Sequence, residues 1–219
     1  MKNLLIKNAA VVFPDSIKHS CNVLTLNGKI SDCVFRGDPP ENTEIINAEG
    51  NYLLPGFIDV HIHGGGGADF MDATPEAFET AVKSHLQHGT TTLVPTAMSA
   101  SEKDLTAFLK TFKSFRKNSK YGALTPGVHL EGPYFSGASA KSGGAQPRDI
   151  LRLPDINEVE RLLKTADGDI LRWDAAPELP GADEFARCMT DNGILCAIAH
   201  SNADSEEAQR GIDCGFSHV

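Results

Sequence analysis

Two rhythms of apolar and polar residues divide the chain. Over residues 1–54 the apolar positions fall in short runs of β type, LLIKNAAVVF, SCNVLTLNGKISDCVF and TEIINAEGNYLL. Asn27-Gly28 tolerates the positive φ angles of a type I′ turn and predicts a hairpin at that point. Asp38-Pro39-Pro40 ends the meander. These residues predict a small β module, too short to close a sandwich alone and in need of strands from elsewhere. His19 is expected in one of its turns.

Over residues 55–219 strand-like and helix-like stretches alternate. FIDVHIH, TTTLVPTA, TPGVHLEGP, ILRWDAAPE and ILCAIAHSNA read as strands, and FSHV begins a sixth. TPEAFETAVKSHLQHG, SEKDLTAFLKTFKSFRKNS, DINEVERLLKTA, ADEFARCMTDNG and SEEAQRGIDCG read as helices. Thr74 caps the first helix, with Pro75 at its first position, Glu76 and Glu79 toward the positive end of the dipole and Gly89 as its stop. Ser101 caps the second, with Asp104 at the capping-box position. Phe108, Leu109, Phe112 and Phe115 recur at helical spacing and belong to the core.

Strands alternating with helices imply parallel βα units. A doubly wound sheet and a (β/α)8 barrel of the TIM type both satisfy that pattern. Polar residues at the ends of several strands favour the barrel: His61 and His63, Glu131, Asp174 with Glu178 beyond it, and His200. A doubly wound sheet more often keeps its chemistry in a Gly-rich βα turn, and no G-x-G-x-x-G or G-x-x-x-x-G-K-[ST] occurs. The α/β architecture expected is therefore an incomplete barrel, about five βα units and the start of a sixth strand. Eight are needed for closure, so an unpaired edge and an uncovered apolar face are expected.

His61 and His63 are two residues apart on a strand, so both point to one face, either as a ligand pair or as part of an ordinary strand and flexible turn. Glu131 reads as a ligand, a general base or a buried acid with a partner. His129, two residues deeper on the same face, reads as a hydrogen-bonded interior histidine. His200 ends an apolar run and points into the same mouth. Together His61, His63, Glu131 and His200 mix donors that suit Zn²⁺ or Fe²⁺ better than Ca²⁺ or Mg²⁺. A divalent ion acidifies water and polarises a carbonyl, which predicts hydrolysis of an amide, an ester or a related bond. Asp174 is either solvated or paired with Arg172, and neither it nor Glu178 stands in a clearly catalytic context. His85 and His88 are expected on the exposed side or at the C-terminal end of their helix. Gly64 to Gly67 read as a flexible loop or as a place where backbone approaches a ligand. Lys141, Ala145, Gln146 and Arg148 sit in a Gly-rich loop that either is solvated or touches substrate.

Bulk properties narrow the partners. A net charge of −9 argues against nucleic acid. No stretch approaches the ~20 apolar residues of a membrane span, and residues 1–16 lack the apolar core of a signal peptide, so a cytoplasmic protein is expected. The cysteines number five, with no C-x-x-C, which fits reduced thiols.

The stretches PGFIDVHIHGGGGADFMD, GVHLEGPYFS, GGAQP, APE and AHSNA, in this order, resemble the N-acetylglucosamine-6-phosphate deacetylases of the amidohydrolase superfamily. The resemblance implies a (β/α)8 barrel with a β-sandwich built from both chain ends. It implies removal of acetate from N-acetyl-D-glucosamine 6-phosphate, with N-acetylgalactosamine 6-phosphate as an alternative substrate. Glu131 and His200 match metal ligands, and His61 with His63 matches the pair that holds a second ion, so one or two ions are expected. Ala145 and Gln146 match the loop that touches the sugar. Family members continue past the sixth strand with a T-H-L-F/Y-N-A-M motif, a catalytic aspartate and usually a homodimer contact. The chain is therefore expected to be the N-terminal part of such an enzyme, with the aspartate beyond Val219, no ligand role for His218 and little turnover alone. A fragment that acts only as a binding module is the other expectation.

Overall fold

A computed structural model describes residues 2–137 and 144–219. They form two compact units, Met1–Gly56 and Phe57–Val219.

The first unit is a five-stranded mixed sheet of β1 (Leu4–Val12), β2 (Ile17–Leu26), β3 (Lys29–Asp32), β4 (Glu44–Asn47) and β5 (Tyr52–Leu53). Asn27 and Gly28 take φ 52° and 79°, the positive pair a type I′ turn requires, and β2 and β3 pair antiparallel around them. Beyond Pro39-Pro40 the pattern departs from a meander. The chain crosses over, and β4 and β5 both pair parallel with β1. Asn8, at φ 57°, makes this possible. It bulges β1 at the point where its partner changes from Glu44–Asn47 to Tyr52–Leu53, and Asn tolerates that left-handed backbone. His19 lies within β2 and not in a turn, because Phe13 N–H closes the preceding turn on Ser16 O. Ala9, Val11, Cys21 and Val23 form a small buried cluster.

The second unit is a six-stranded parallel sheet of β6 (Phe57–Ile62), β9 (Thr90–Ala97), β10 (Val128–Glu131), β11 (Ile170–Ala175), β12 (Leu195–Ile198) and β13 (Phe216–His218). Their spatial order is their chain order, without a reversal. Right-handed crossovers that always step the same way place every helix on one face, which is the winding of a barrel and not of a doubly wound sheet. The helices are α1 (Pro75–Leu86), α2 (Glu102–Asn118), α3 (Ile156–Ala166), α4 (Ala182–Asp191) and α5 (Ser205–Cys214). Thr74 caps α1 through Ala77 N, and Gly89 at φ 94° turns the chain just past its end. Ser101 caps α2, but the Asp104 carboxylate accepts from the Ser101 hydroxyl at 2.6 Å, so the reciprocal bond of a full capping box does not form. Asp204 and Glu207 do form one at α5.

One core joins this unit. Phe108, Leu109, Phe112 and Phe115 of α2 are buried in it, and the Phe78 ring of α1 packs on three of them with centroids 5.5–6.2 Å apart. Each buried Phe contributes about 1.5–3 kcal/mol of apolar transfer. Trp173 anchors the later strands: its indole N–H donates to Gly132 O, and its ring meets Tyr134 and Phe185. Among the described residues β6 and β13 each pair on one side only. On β6, Ile58 and Val60 share a face and are 69% and 55% exposed, the uncovered apolar face expected of an open sheet.

Among the described residues no helix is long and apolar enough to cross a membrane.

Candidate metal centre

β6 brings His61 and His63 to the C-terminal end of the sheet, but not by regular pairing. Its register against β9 slips between Asp59 and Ile62, and Ile62 N–H donates to the Thr96 side chain at 3.0 Å. His63 lies one residue past the strand. Its Nδ1 meets Thr96 O at 3.2 Å, and only an N–H can bond a carbonyl. That fixes the tautomer and turns Nε2 toward the mouth.

The residue it faces is Glu131, at the end of β10 and 7% exposed. Glu131 Oε2 lies 3.0 Å from His63 Nε2 and 3.6 Å from His61 Nε2, and Oε1 lies 2.8 Å from His200 Nε2. Three imidazoles, two from the end of β6 and one from the end of β12, thus converge on the carboxylate at the end of β10. Burial pushes the Glu131 carboxyl up, but the imidazoles of His63, His200 and His61 beside it outweigh that and hold it at about 2. Desolvation lowers His61, against the pull of Glu131. The Glu131 carboxylate beside it raises His63, against desolvation.

The donors fit a divalent ion. His61, His63 and Glu131 each offer one atom, all within 4.8 Å of one another. Ligands about 2.1 Å from a tetrahedral ion stand about 3.4 Å apart, close to the spacings here. Glu131 Oε2 is buried and has no aligned hydrogen bond among the described residues, so electron-rich atoms face each other with a cation's place between them.

His200 follows β12 with a left-handed backbone, φ 47°. Its ring packs on Phe135 with centroids 4.6 Å apart. On another side the Gly144 backbone comes so near that a Cβ there would sit 3.1 Å from His200 Cε1. Beneath the cluster lies a buried belt. His129 is fully buried, with Nδ1 3.4 Å from Thr96 Oγ1 and Nε2 2.9 Å from Asp174 Oδ2. Asp174 is 1% exposed and takes Arg172 on both oxygens, at 2.6 and 2.9 Å. Asp174 is therefore paired, not solvated, and His129 is the interior histidine its position suggests.

The remaining expectations resolve one by one. Gly64 to Gly67 form an ordered hairpin, β7 (Gly64–Gly65) against β8 (Ala68–Asp69), and not a flexible loop. His85 lies in the last turn of α1, the C-terminal end expected for it, and is half-buried: its Nε2 bonds Gly64 O at 2.9 Å, which locks the hairpin next to His63. His88 is exposed beyond α1. Gln146 is buried, its side-chain oxygen accepting from Ser99 N–H, while Ala145 and Arg148 are exposed. Lys141 lies outside the described residues. Glu178 has both oxygens engaged, by Ser201 Oγ and Asn202 N–H. His218 lies on the edge strand β13, outside the cluster. Thr96 was not foreseen; nothing in TTTLVPTA marks one threonine from the next.

N-acetylglucosamine-6-phosphate deacetylase of Bacillus subtilis (strain 168) is 32% identical over 222 residues, covering 100% of this chain and 55% of its own length. N-acetylgalactosamine-6-phosphate deacetylase of Escherichia coli is 27% identical over 187 residues, covering 85% of this chain and 49% of its own. The crystal structure of N-acetylglucosamine-6-phosphate deacetylase from Pasteurella multocida superposes with a TM-score of 0.85 at 27% identity, over 98% of this chain and 55% of that one. The chain spans about half the length of the curated relatives it matches. The family model described as Amidohydrolase family matches residues 52–219, the stretch that carries the whole parallel sheet and every histidine of the cluster, and the chain belongs to that family.

Proposed function

We propose that this chain serves the hydrolysis of the acetamide of N-acetyl-D-glucosamine 6-phosphate to acetate and D-glucosamine 6-phosphate. The observation that carries the reading is the convergence of His61, His63 and His200 on Glu131 at the C-terminal end of a parallel sheet. Similarity to deacetylases of N-acetylated sugar phosphates supplies the substrate class.

Glu131 and His200 would hold one ion, and His61 with His63 a second, Zn²⁺ or Fe²⁺ by the mixed nitrogen and oxygen donors. Bound there, such an ion supplies Lewis acidity at the amide carbonyl and an acidified water. The chain's own part is to orient and to exclude alternatives. Thr96 O keeps the His63 proton on Nδ1, so that Nε2 faces the site. The ionised Glu131 places negative charge where a cation is held. Ala145 and Gln146 stand in the loop assigned to the sugar. Neither Asp174 nor Glu178 is the general base, because each has both oxygens bound by protein donors. By the resemblance to the deacetylases, the base would be an aspartate of the whole enzyme, which would act as a homodimer.

The test is acetate release by the whole protein loaded with Zn²⁺ or Fe²⁺, with the glucosamine and galactosamine 6-phosphate substrates side by side. Preference for the glucosamine substrate, lost in Glu131→Ala, is the expected result. Preference for the galactosamine epimer would move the assignment to the other class of relative, and no acetate from either would overturn it.

A further inference from the structure

The turn that carries His200 is held from behind by a carboxylate that belongs to no metal cluster, and we propose that Glu178 is a positioning residue for His200. This rests on the reading of His200 as a metal ligand. Glu178 stands past the end of β11, in a loop tied down by Ala176 N–H on Tyr134 O. Its Oε1 accepts from Asn202 N–H and its Oε2 from Ser201 Oγ, both at 2.7 Å. Ser201 Oγ in turn accepts from Ala203 N–H at 2.8 Å. Asn202 Nδ2 donates to Ser136 Oγ at 2.7 Å, and Ser136 N–H donates to His200 O at 3.1 Å.

The three residues that follow His200 are thus fixed, together with its own carbonyl. They need to be. A non-glycine residue at φ 47° keeps that backbone only where its surroundings over-determine it. Glu178 places two hydrogen bonds on the residues next to His200, while Phe135 and Gly144 border its ring. With backbone and ring both bounded, Nε2 is left aimed at Glu131 Oε1. An aspartate at 178 would be one methylene short of this double contact.

The experiment titrates Co²⁺ into the metal-free 219-residue chain and reads affinity and the visible ligand-field band. His200→Ala should weaken Co²⁺ binding and change the band. Glu178→Ala should weaken it about 10- to 100-fold, the range that partners behind a metal ligand give. Glu178→Gln, which can still accept from Asn202 N–H and bond Ser201 Oγ, should recover most of the loss. In the His200→Ala background Glu178→Ala should have no further effect, because its route to the metal is gone. Wild-type affinity in Glu178→Ala overturns the proposal, and so does an equal loss in both backgrounds, which marks a general structural role. An unchanged band and affinity in His200→Ala instead overturns the ligand reading beneath it. Should Glu178→Ala fail to fold by far-ultraviolet circular dichroism, Ser201→Ala removes one arm alone. It should give a smaller loss that also vanishes without His200, and a loss that persists there counts against the proposal.

Discussion

Among single residues, Thr96 carries the most. Its hydroxyl proton goes to Val94 O, so its lone pairs meet Ile62 N–H and the His129 ring, and its carbonyl fixes His63. Thr96→Val keeps the shape and removes the hydroxyl. Ile62 N–H is then left without its partner between the two histidines, which should destabilise the chain by about 1–3 kcal/mol in urea unfolding. A change within about 0.5 kcal/mol, the scatter of ordinary surface substitutions, would show that the belt beneath the site carries no weight. Sequence reading reached the residues with a period: His61 and His63 by their spacing of two, His129 and Glu131 likewise. Thr96 and Gly144 escaped because their roles come from a carbonyl and from a missing side chain, and neither leaves a mark in a pattern of apolar and polar letters. The Asp174–Arg172 pair was half legible, since i and i+2 share a face, but its burial was not.

At the scale of elements, the helices were read almost to the residue because their caps are chemical: Thr74 before Pro75, Ser101 before its acidic turn. The hairpin after His63 was not. Four glycines have no side-chain alternation, so they read as slack. In the structure the first two are closely packed, whereas Gly67 has open space around it. A Cβ on Gly64 would stand 2.1 Å from Ala68 O, which is backbone, and one on Gly65 would stand 2.5 Å from His85 Nε2, which can rotate away. Gly64→Ala should therefore lower the melting temperature more than Gly65→Ala, with overpacking of about 1–3 kcal/mol for the former. Equal melting points for both variants and the unsubstituted chain would mean that the hairpin is not held as described. The β module shows the reverse limit: Asn27-Gly28 announced its hairpin, while the bulge at Asn8 that redirects β4 and β5 had no local signature.

Across the whole parallel unit, the alternation of strand and helix was enough for the class, and the scatter of polar groups over several strand ends was enough to prefer a barrel. The unreversed strand order then decides it. Strand order is a property of long-range pairing, and no local pattern contains it. That order also distributes the site unequally. Glu131 ends β10 and His200 follows β12, and each of these strands is paired on both sides, whereas His61 and His63 ride on β6, paired only with β9 among the described residues. Edge segments open locally at lower free energy than central ones. Amide hydrogen exchange should accordingly be fast along residues 57–63 and slow along 128–131 and 195–198, with uniform protection as the contrary result. The two halves of the cluster would then differ in kinetics as well as in donors. Brief fraying at the rim would free a pair of imidazoles while the carboxylate and the third imidazole stay in place, so an ion held on the β6 side would be the one to exchange first.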